Sequence, residues 1–493
     1  MSENYLLGID IGTSSVKVVL TDRQGRRLGE HCRAHEIVQE RPGYVEQDAD
    51  GAWWQGAKEG IIQCLKESGI APERIAGICA SGMVPSLCPL DADGRVIRRA
   101  ILYRDNRAID QSNRLNEKFG PGFTLQDVTP KLLWIKENEP ERYGRIASVL
   151  NAHSYVAYRL TGKYSADADI AAIFGEVYDI GENRWQTERM AAMGLDPRVL
   201  PPLFRPTDVV GTVTAWAAAE TGLAEGTPVI AGTGDSYTIL VGTGTIDANE
   251  GLIYLGTAAT FLGLGRSLDE MRGTLPFVTG EARFLGNVLM GGEITRWFLE
   301  SIVRGPKTEY DALEALAKAT PEGAEGLYAL PHLLGERTPR RNPLAKGVLF
   351  GLTNAHTAGH LYRALMEGVA YALRESYENA FLPLKRLVIG GGGCKTALWL
   401  QILADVLGRE LEYMPKADNA LGTAYLAGLA LGVFDSFRPM KEEWLSEKQV
   451  IVPDASAVAR YDGYYRFYKD LNTAMGPLYA LEAQQTANGG KLK

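Results

Sequence analysis

Apolar runs broken by small residues set the pattern of this chain from its start. Tyr5-Leu6-Leu7-Gly8-Ile9-Asp10-Ile11 stops at Gly12-Thr13-Ser14-Ser15 and resumes as Val16-Lys17-Val18-Val19-Leu20, which predicts a strand, a tight turn and a second strand. The same signature returns where Leu252-Ile253-Tyr254-Leu255 breaks at Gly256-Thr257-Ala258-Ala259 and resumes as Thr260-Phe261-Leu262-Gly263-Leu264. Each hairpin leads into segments of helical period, Gly51 to Ser68 in the first half and Leu361 to Tyr377 in the second. The pattern predicts a duplicated α/β unit with a Gly-Thr hairpin in each copy. Gly242 to Asn249, a small-residue stretch between two apolar runs, is the natural boundary. It gives an N-terminal lobe over 1–245 and a C-terminal lobe over 246–483. The last residues, 484–493, are polar with two consecutive glycines and are expected to form a frayed, disordered tail.

Two further segments extend the pattern. Leu387-Val388-Ile389 reads as a buried strand that enters Gly390-Gly391-Gly392-Gly393, after which a helical pattern runs through Leu400, Leu403 and Leu407. Pro228-Val229-Ile230-Ala231 is a short strand, and Gly232-Thr233-Gly234 then delivers Asp235 at its carboxyl end.

Composition narrows the class. The chain has 493 residues, 45% hydrophobic and 23% charged, which excludes a disordered, collagenous or disulfide-stapled protein. The length suits two large domains or three smaller ones, each able to bury a sizeable core. Lys and Arg number 52 against 60 Asp and Glu, a net charge of -8, so nothing electrostatic favours a nucleic-acid or membrane partner. The N-terminus lacks a basic n-region and a long apolar stretch, so a cytoplasmic protein is expected. Five scattered cysteines with no C-x-x-C pair read as reduced, mostly buried thiols. His31, Cys32 and His35 lie in a polar stretch without a fourth ligand and are expected to be solvated. His356 and His360 are spaced i, i+4 without an H-E-x-x-H motif, so no structural zinc is expected.

Glycine makes up about 11% of residues against a typical 7%, and its clustering carries the candidate chemistry. A turn of Gly12, Thr13 and Ser14 can offer backbone N–H groups and hydroxyls to a phosphate with no bulky side chain in the way. Asp10 beside it is placed to hold a Mg²⁺ that keeps several of its waters; the alternative is an ordinary hairpin with a solvated carboxylate. Gly256-Thr257 offers a second such turn. The strand, Gly loop and helix at Gly391, Gly392 and Gly393 match a nucleotide contact, with a purely structural turn as the alternative. It is neither G-x-G-x-x-G nor a P-loop. Asp235 is suited to take a proton from a substrate hydroxyl; its alternative is to cap the next helix.

Asp10-Ile11-Gly12-Thr13, Gly232-Thr233-Gly234-Asp235, Leu255-Gly256-Thr257 and Gly390 to Gly393 occur in the order and spacing of the FGGY carbohydrate kinases, and the chain resembles that family from end to end. Thr129-Pro130-Lys131-Leu132-Leu133-Trp134, Gly335-Glu336-Arg337-Thr338-Pro339 and Gly347 to Leu352, with His360-Leu361 leading to Ala364 and Glu367, add to the likeness. The resemblance implies an α/β fold of two actin-like, RNase H-like lobes with an interdomain catalytic cleft that closes over ATP and a sugar. It implies Mg²⁺ held by Asp10 and Asp235, ATP phosphates facing Gly12, Thr13, Ser14, Gly256 and Thr257, and adenosine on Gly391, Gly392 and Gly393. Asp235 would be the base. Many family members are dimers, so a homodimer is compatible with it.

On the acceptor side, Leu102-Tyr103-Arg104-Asp105-Asn106-Arg107 resembles the family's W-x-D-x-R segment, with Tyr103 replacing Trp. This makes Asp105 and Arg107 candidate sugar contacts, a surface salt bridge being the alternative. Met83, Val84 and Ser236 complete the substrate candidates. The pattern is nearest to xylulokinases, yet their Gln-Met-His-Gly segment stands here as Ser81-Gly82-Met83-Val84-Pro85-Ser86, without the histidine, and Ser236 takes the place of a common Asn. A D-xylulose-like pentulose is therefore the first expectation. A hexulose, tetritol, polyol or sugar acid as acceptor, or a sugar-independent ATPase switch on the same fold, are the alternatives.

Overall fold

A computed structural model describes residues 4–270, 282–305 and 310–487. The chain divides into two compact α/β units.

The first unit is built on a six-stranded sheet. β1 (Tyr5–Ile11), β2 (Ser15–Thr21) and β3 (Arg27–Ala34) form an antiparallel meander; β4 (Ile75–Gly82), β5 (Val209–Thr212) and β6 (Pro228–Gly234) complete it in the order β3-β2-β1-β4-β6-β5. β1, β4 and β6 are parallel and β5 is antiparallel to β6. The alternation in β2 puts Val16, Val18 and Leu20 in a core shared with Ile9, Trp53, Trp54 and Ile61. Glycine sets how close a helix can approach here, since a Cβ on Gly56 or Gly60 of α1 (Gln55–Ser68) would collide with Val16 or Val18. α2 (Val128–Asn138), α3 (Ala152–Thr161) and α4 (Asp235–Gly242) follow in the same unit.

The second unit repeats that plan. β7 (Glu250–Leu255), β8 (Ala259–Leu264), β9 (Ala282–Val288), β10 (Arg386–Gly390), β11 (Leu411–Tyr413) and β12 (Gln449–Ile451) form a sheet in the order β9-β8-β7-β10-β11-β12. As in the first unit, the meander strands are antiparallel, the next two pairings parallel and the last antiparallel. The duplication read from the two Gly-Thr hairpins is thus a duplication of whole sheets. Parallel strands gather their carboxyl ends at one edge, where α/β sheets bind ligands. That edge carries Gly12, Met83 and Asp235 in one unit, and Gly256 and Gly391 in the other. α5 (Ala358–Ala380) and α6 (Ala397–Leu407) pack into the core around Phe261, Ile389 and Trp399.

Two of the expected boundaries need correction. The chain passes into the second unit after Ile246, but residues 417–446 belong to the first unit rather than to a single C-terminal lobe over 246–483, as does 267–270. The returning segment forms α7 (Asn419–Ala430), whose backbone lies directly on β1 and α4. A Cβ on Gly8 would stand 2.1 Å from Ala420 O, one on Gly242 2.1 Å from Asp418 O, and one on Gly422 2.0 Å from Thr238 O. Residues 484–487, expected to open the tail, are helical instead. α8 runs Ala455–Ala487, because residues 484–487 are acceptable helix formers that continue a helix already secured by the Glu482–Lys346 ion pair. The rest of the expected tail lies outside the described residues.

Gly8→Ala is expected to destabilise the first unit by about 1–3 kcal/mol or more, because the added methyl meets main chain that cannot rotate away. Gly463→Ala, in α8 with open space around it, is expected to stabilise by about 0.5–1 kcal/mol. Urea titrations of the two variants beside the parent check both signs.

Candidate active site

At the carboxyl edge of the first unit two carboxyls lie deep in the protein, each still reaching solvent in part. Asp10 is the penultimate residue of β1, opposite Ser81 of β4. Asp235 follows the last residue of β6, whose Thr233 also pairs with Ser81. Burial first, and then the negative charge of Asp235, push the Asp10 carboxyl up to about 7. Asp235 is pushed up to about 6 by burial, against hydrogen bonds from the Ser236 N–H and hydroxyl and the charge of His153, which lower it. The Ser236 hydroxyl lies 3.3 Å from Asp235 Oδ1. Asp235 also opens α4, as the first residue of its first turn, where the helix dipole favours an anion.

Asp10 is braced from two sides. Its Oδ1 accepts a hydrogen bond from the Ser81 hydroxyl at 2.8 Å, and Ser81 Oγ accepts one from Thr423 of α7 at 2.9 Å. Asn419, the first residue of α7, hydrogen-bonds Asp10 and accepts from the Thr238 hydroxyl of α4 at 3.2 Å. Its neighbour Asp418 caps α7 through the Leu421 N–H and receives Lys17 at 2.6 Å and Arg27 at 2.8 Å. None of Asp418, Asn419 or Thr423 was expected from sequence; the signal that could have found them is the run of small residues from Ala420 to Gly428, which marks close backbone packing.

The Gly12 to Ser14 turn is anchored through its carbonyls. His35 Nε2 lies 3.1 Å from Gly12 O, Gln47 Nε2 donates to Thr13 O at 2.7 Å, and the His35 N–H donates to Ser14 O at 2.9 Å. With these carbonyls occupied and the Gly12 N–H given to Ser15 O at 2.9 Å, an anion would have to be met by the amides of Thr13 and Ser14. His35 is therefore not the solvated residue its polar surroundings suggested, since it sits half-buried against the turn.

The second unit holds its turn in the same manner. Thr257 O accepts from the Gly291 and Glu293 N–H groups at 2.9 and 3.2 Å, and Gly256 O from the Gly292 N–H at 2.7 Å. The glycine loop divides by role. Gly391, at φ +102, and Gly393 have no room for a Cβ because Leu255 stands within 3 Å of it, whereas Gly392 faces open space.

Models of the FGGY family of carbohydrate kinases match the chain twice, the N-terminal domain over residues 5–242 and the C-terminal domain over 251–431. The chain belongs to that family. It is 32% identical to a xylulose kinase of Bacillus subtilis (96% of this chain and 98% of the relative) and 31% identical to a xylulose kinase of Escherichia coli (96% and 100%). A solved xylulose kinase from Rhodospirillum rubrum superposes with a TM-score of 0.82 at 29% identity, covering 97% of this chain and 100% of that one. The two units are thus the actin-like domains of a carbohydrate kinase.

The acceptor-side candidates of this kinase have distinct surroundings. Met83 is buried in the core beneath the sheet edge, while Val84 is half-buried against Gly234, where a Cβ would come within 2.6 Å of Val84 Cγ2. Asp105 and Arg107 form no surface pair. They are 0% and 9% exposed, joined by two hydrogen bonds of 2.8 and 2.7 Å, with Asp105 also accepting from the Val45 N–H and Arg107 also reaching Glu46. Arg107 lies 4.0 Å over Tyr44 and 4.9 Å over Trp134. Tyr103, between strand and loop, brings its hydroxyl to 3.5 Å from Thr13 Oγ1 of the first turn.

Lys131 of α2 holds this loop from below. Its ammonium is buried and donates to Leu102 O at 2.9 Å and Gln126 O at 2.7 Å. Burial pushes it down to about 7, against the charges of Asp105 and Asp127. In the unfolded chain it would titrate near 10.5. Between these values the unfolded state binds the extra proton, so the lysine's burial penalty fades and stability rises with pH. The unfolding free energy of the parent relative to Lys131→Met is expected to rise between pH 8 and 9.5 by at most about 1.4 kcal/mol per pH unit. Urea titrations across that range check the slope, and a flat difference would show that Lys131 is not the titrating group.

Proposed function

We propose that the chain phosphorylates a small sugar with ATP, with a D-xylulose-like pentulose as the acceptor. The observation that carries the chemistry is Asp235, a half-buried carboxyl just past the end of β6, one strand across from Asp10 of β1, and raised to about 6 by burial. The pentulose rests on the named activity of the relatives, which match nearly the whole chain.

The donor half is read from the two anchored turns. Gly12, Thr13 and Ser14 would meet the ATP phosphates from the first unit, Gly256 and Thr257 from the second, and Gly392, with Gly391 and Gly393 shaping its loop, would face the adenosine. Asp10 and Asp235 fit a divalent cation, since two carboxyls raised by burial, one of them also by the other's charge, are relieved by a positive charge. Mg²⁺ held there would neutralise phosphate charge during transfer.

The residues of the chain would do the remaining work. Asp235 takes the proton of the acceptor hydroxyl as its oxygen attacks the γ-phosphorus in line. Burial keeps this carboxylate more basic than an exposed one, while Ser236 keeps it ionised near neutral pH. Val84 and Ser236 lie on either side of the base and are read as walls of the acceptor pocket; Tyr103 replaces the family's tryptophan beside the first turn. The buried Asp105–Arg107 pair would shape the acceptor loop through its own hydrogen bonds.

Asp235→Asn is expected to lower kcat by about 100- to 10,000-fold, with ATP affinity retained. An ADP-release assay with Mg²⁺-ATP and a panel of pentuloses, hexuloses, polyols and aldonic acids tests acceptor and base together. A pentulose response lost in the variant supports the reading. Steady ATP turnover without sugar would replace it with an ATPase switch, and a strong response to another sugar class would correct the acceptor.

A further inference from the structure

β6 does not run straight into Asp235. Its pairing with β4 shifts between Ile230 and Thr233, and Gly232 within the shift takes φ +71, where a Cβ would stand 1.8 Å from Ala80 O. A bulge re-aims the residues that follow it, so the direction of the Asp235 side chain depends on what fixes the chain just beyond. Gly234 is pressed against Val84. Beyond the shift the main chain rejoins β4 at Thr233 and Gly234, and Thr233 adds a side-chain attachment.

The Thr233 hydroxyl donates to Asp167 Oδ1 at 3.0 Å. Asp167 Oδ2 lies 2.9 Å from His153 Nε2 on α3, and Asp167 Oδ1 also caps the short helix 168–172 by accepting from the Ile170 N–H at 3.3 Å. Thr233, Asp167 and His153 are all buried, at 0%, 1% and 0% exposure. A carboxylate so far from water is strongly disfavoured unless its oxygens are satisfied, and its partners here come from three separate elements. One of them is two residues from the proposed base.

We propose that Asp167 is a positioning residue for phosphoryl transfer: through the Thr233 hydroxyl, and braced by His153, it fixes the bulged end of β6 so that the Asp235 carboxylate points at the acceptor hydroxyl. This rests on Asp235 as the base. Asp167 touches no reacting atom, and its effect is on geometry, to which phosphoryl transfer is sensitive because misplacement by an ångström can cost about 100-fold in rate.

The test uses the full chain with Mg²⁺-ATP and D-xylulose, or whichever panel sugar is turned over fastest. Thr233→Val, which deletes the hydroxyl and keeps the shape, is expected to lower kcat by about 10- to 100-fold while the KM for ATP and the folded far-UV spectrum stay unchanged. Thr233→Ser, which keeps the hydroxyl, is expected to restore kcat, and Asp167→Asn to follow Thr233→Val. A Thr233→Val enzyme with parental kcat overturns the proposal, as does equal loss in the Val and Ser variants. Asp235→Asn run beside them separates the two readings: if it keeps parental turnover, the base assignment fails; if it is inactive while Thr233→Val is fully active, only the positioning role fails.

Discussion

Asp10 and Asp235 are two carboxyls that burial makes harder to ionise, Asp10 further so by the charge of Asp235, and the first unit supplies hydrogen-bond partners to both. They stand at the ends of β1 and β6, separated by β4, about 10 Å of backbone spacing by ordinary strand geometry. Left to themselves, both would take up protons or turn to water. Ser81, Thr423 and Asn419 fix one, and Ser236 with the first turn of α4 fixes the other. In the proposed reading the pair would present negative charge to a cation and one basic oxygen to a hydroxyl.

This arrangement explains why the chain crosses back. Asn419 serves β1 and α4 at once, and Thr423 reaches Ser81, only because α7 lies backbone to backbone on both elements. Gly8, Gly242 and Gly422 permit that approach, and each would meet a main-chain oxygen at about van der Waals overlap if it carried a Cβ. The glycine excess visible in composition therefore serves close packing as well as turns, since Gly8, Gly242 and Gly422 let a helix from far along the chain close on β1 and α4.

What was legible in the sequence is what is local. The hairpins around Gly12 and Gly256, the strand before Gly390 and the strand that delivers Asp235 are short-range patterns, and the repeated hairpin foretold a duplicated α/β unit. What was hidden depends on contacts across long stretches of chain. Asp418 and Asn419 reach the site from far along the sequence, in a helix whose nearly uniform apolar surface carries no polar signature. His35 looked solvated because a polar stretch cannot show that its ring turns back to the Gly12 carbonyl. Asp105 and Arg107 read as sugar contacts or, alternatively, as a surface pair, because spacing gives no burial. Asp167 gave no signal, since a lone aspartate before a short helix reads as a cap, which it also is.

The two phosphate-turn candidates share a design and differ in how it is enforced. Both have their carbonyls taken up from behind, so that an anion meets amides rather than oxygens. In the first unit two of the anchors are side chains, His35 and Gln47, and the third is the main-chain N–H of His35. In the second they are the main-chain N–H groups of Gly291, Gly292 and Glu293, and the demand falls on shape: a Cβ on Gly291 would stand 1.9 Å from Ala259 N and one on Gly292 2.3 Å from Gly256 O. The same electrostatic requirement, a turn with its oxygens hidden, is thus written as polar chemistry in one sheet and as the absence of side chains in the other, which is why the turn sequences resemble each other more than their surroundings do.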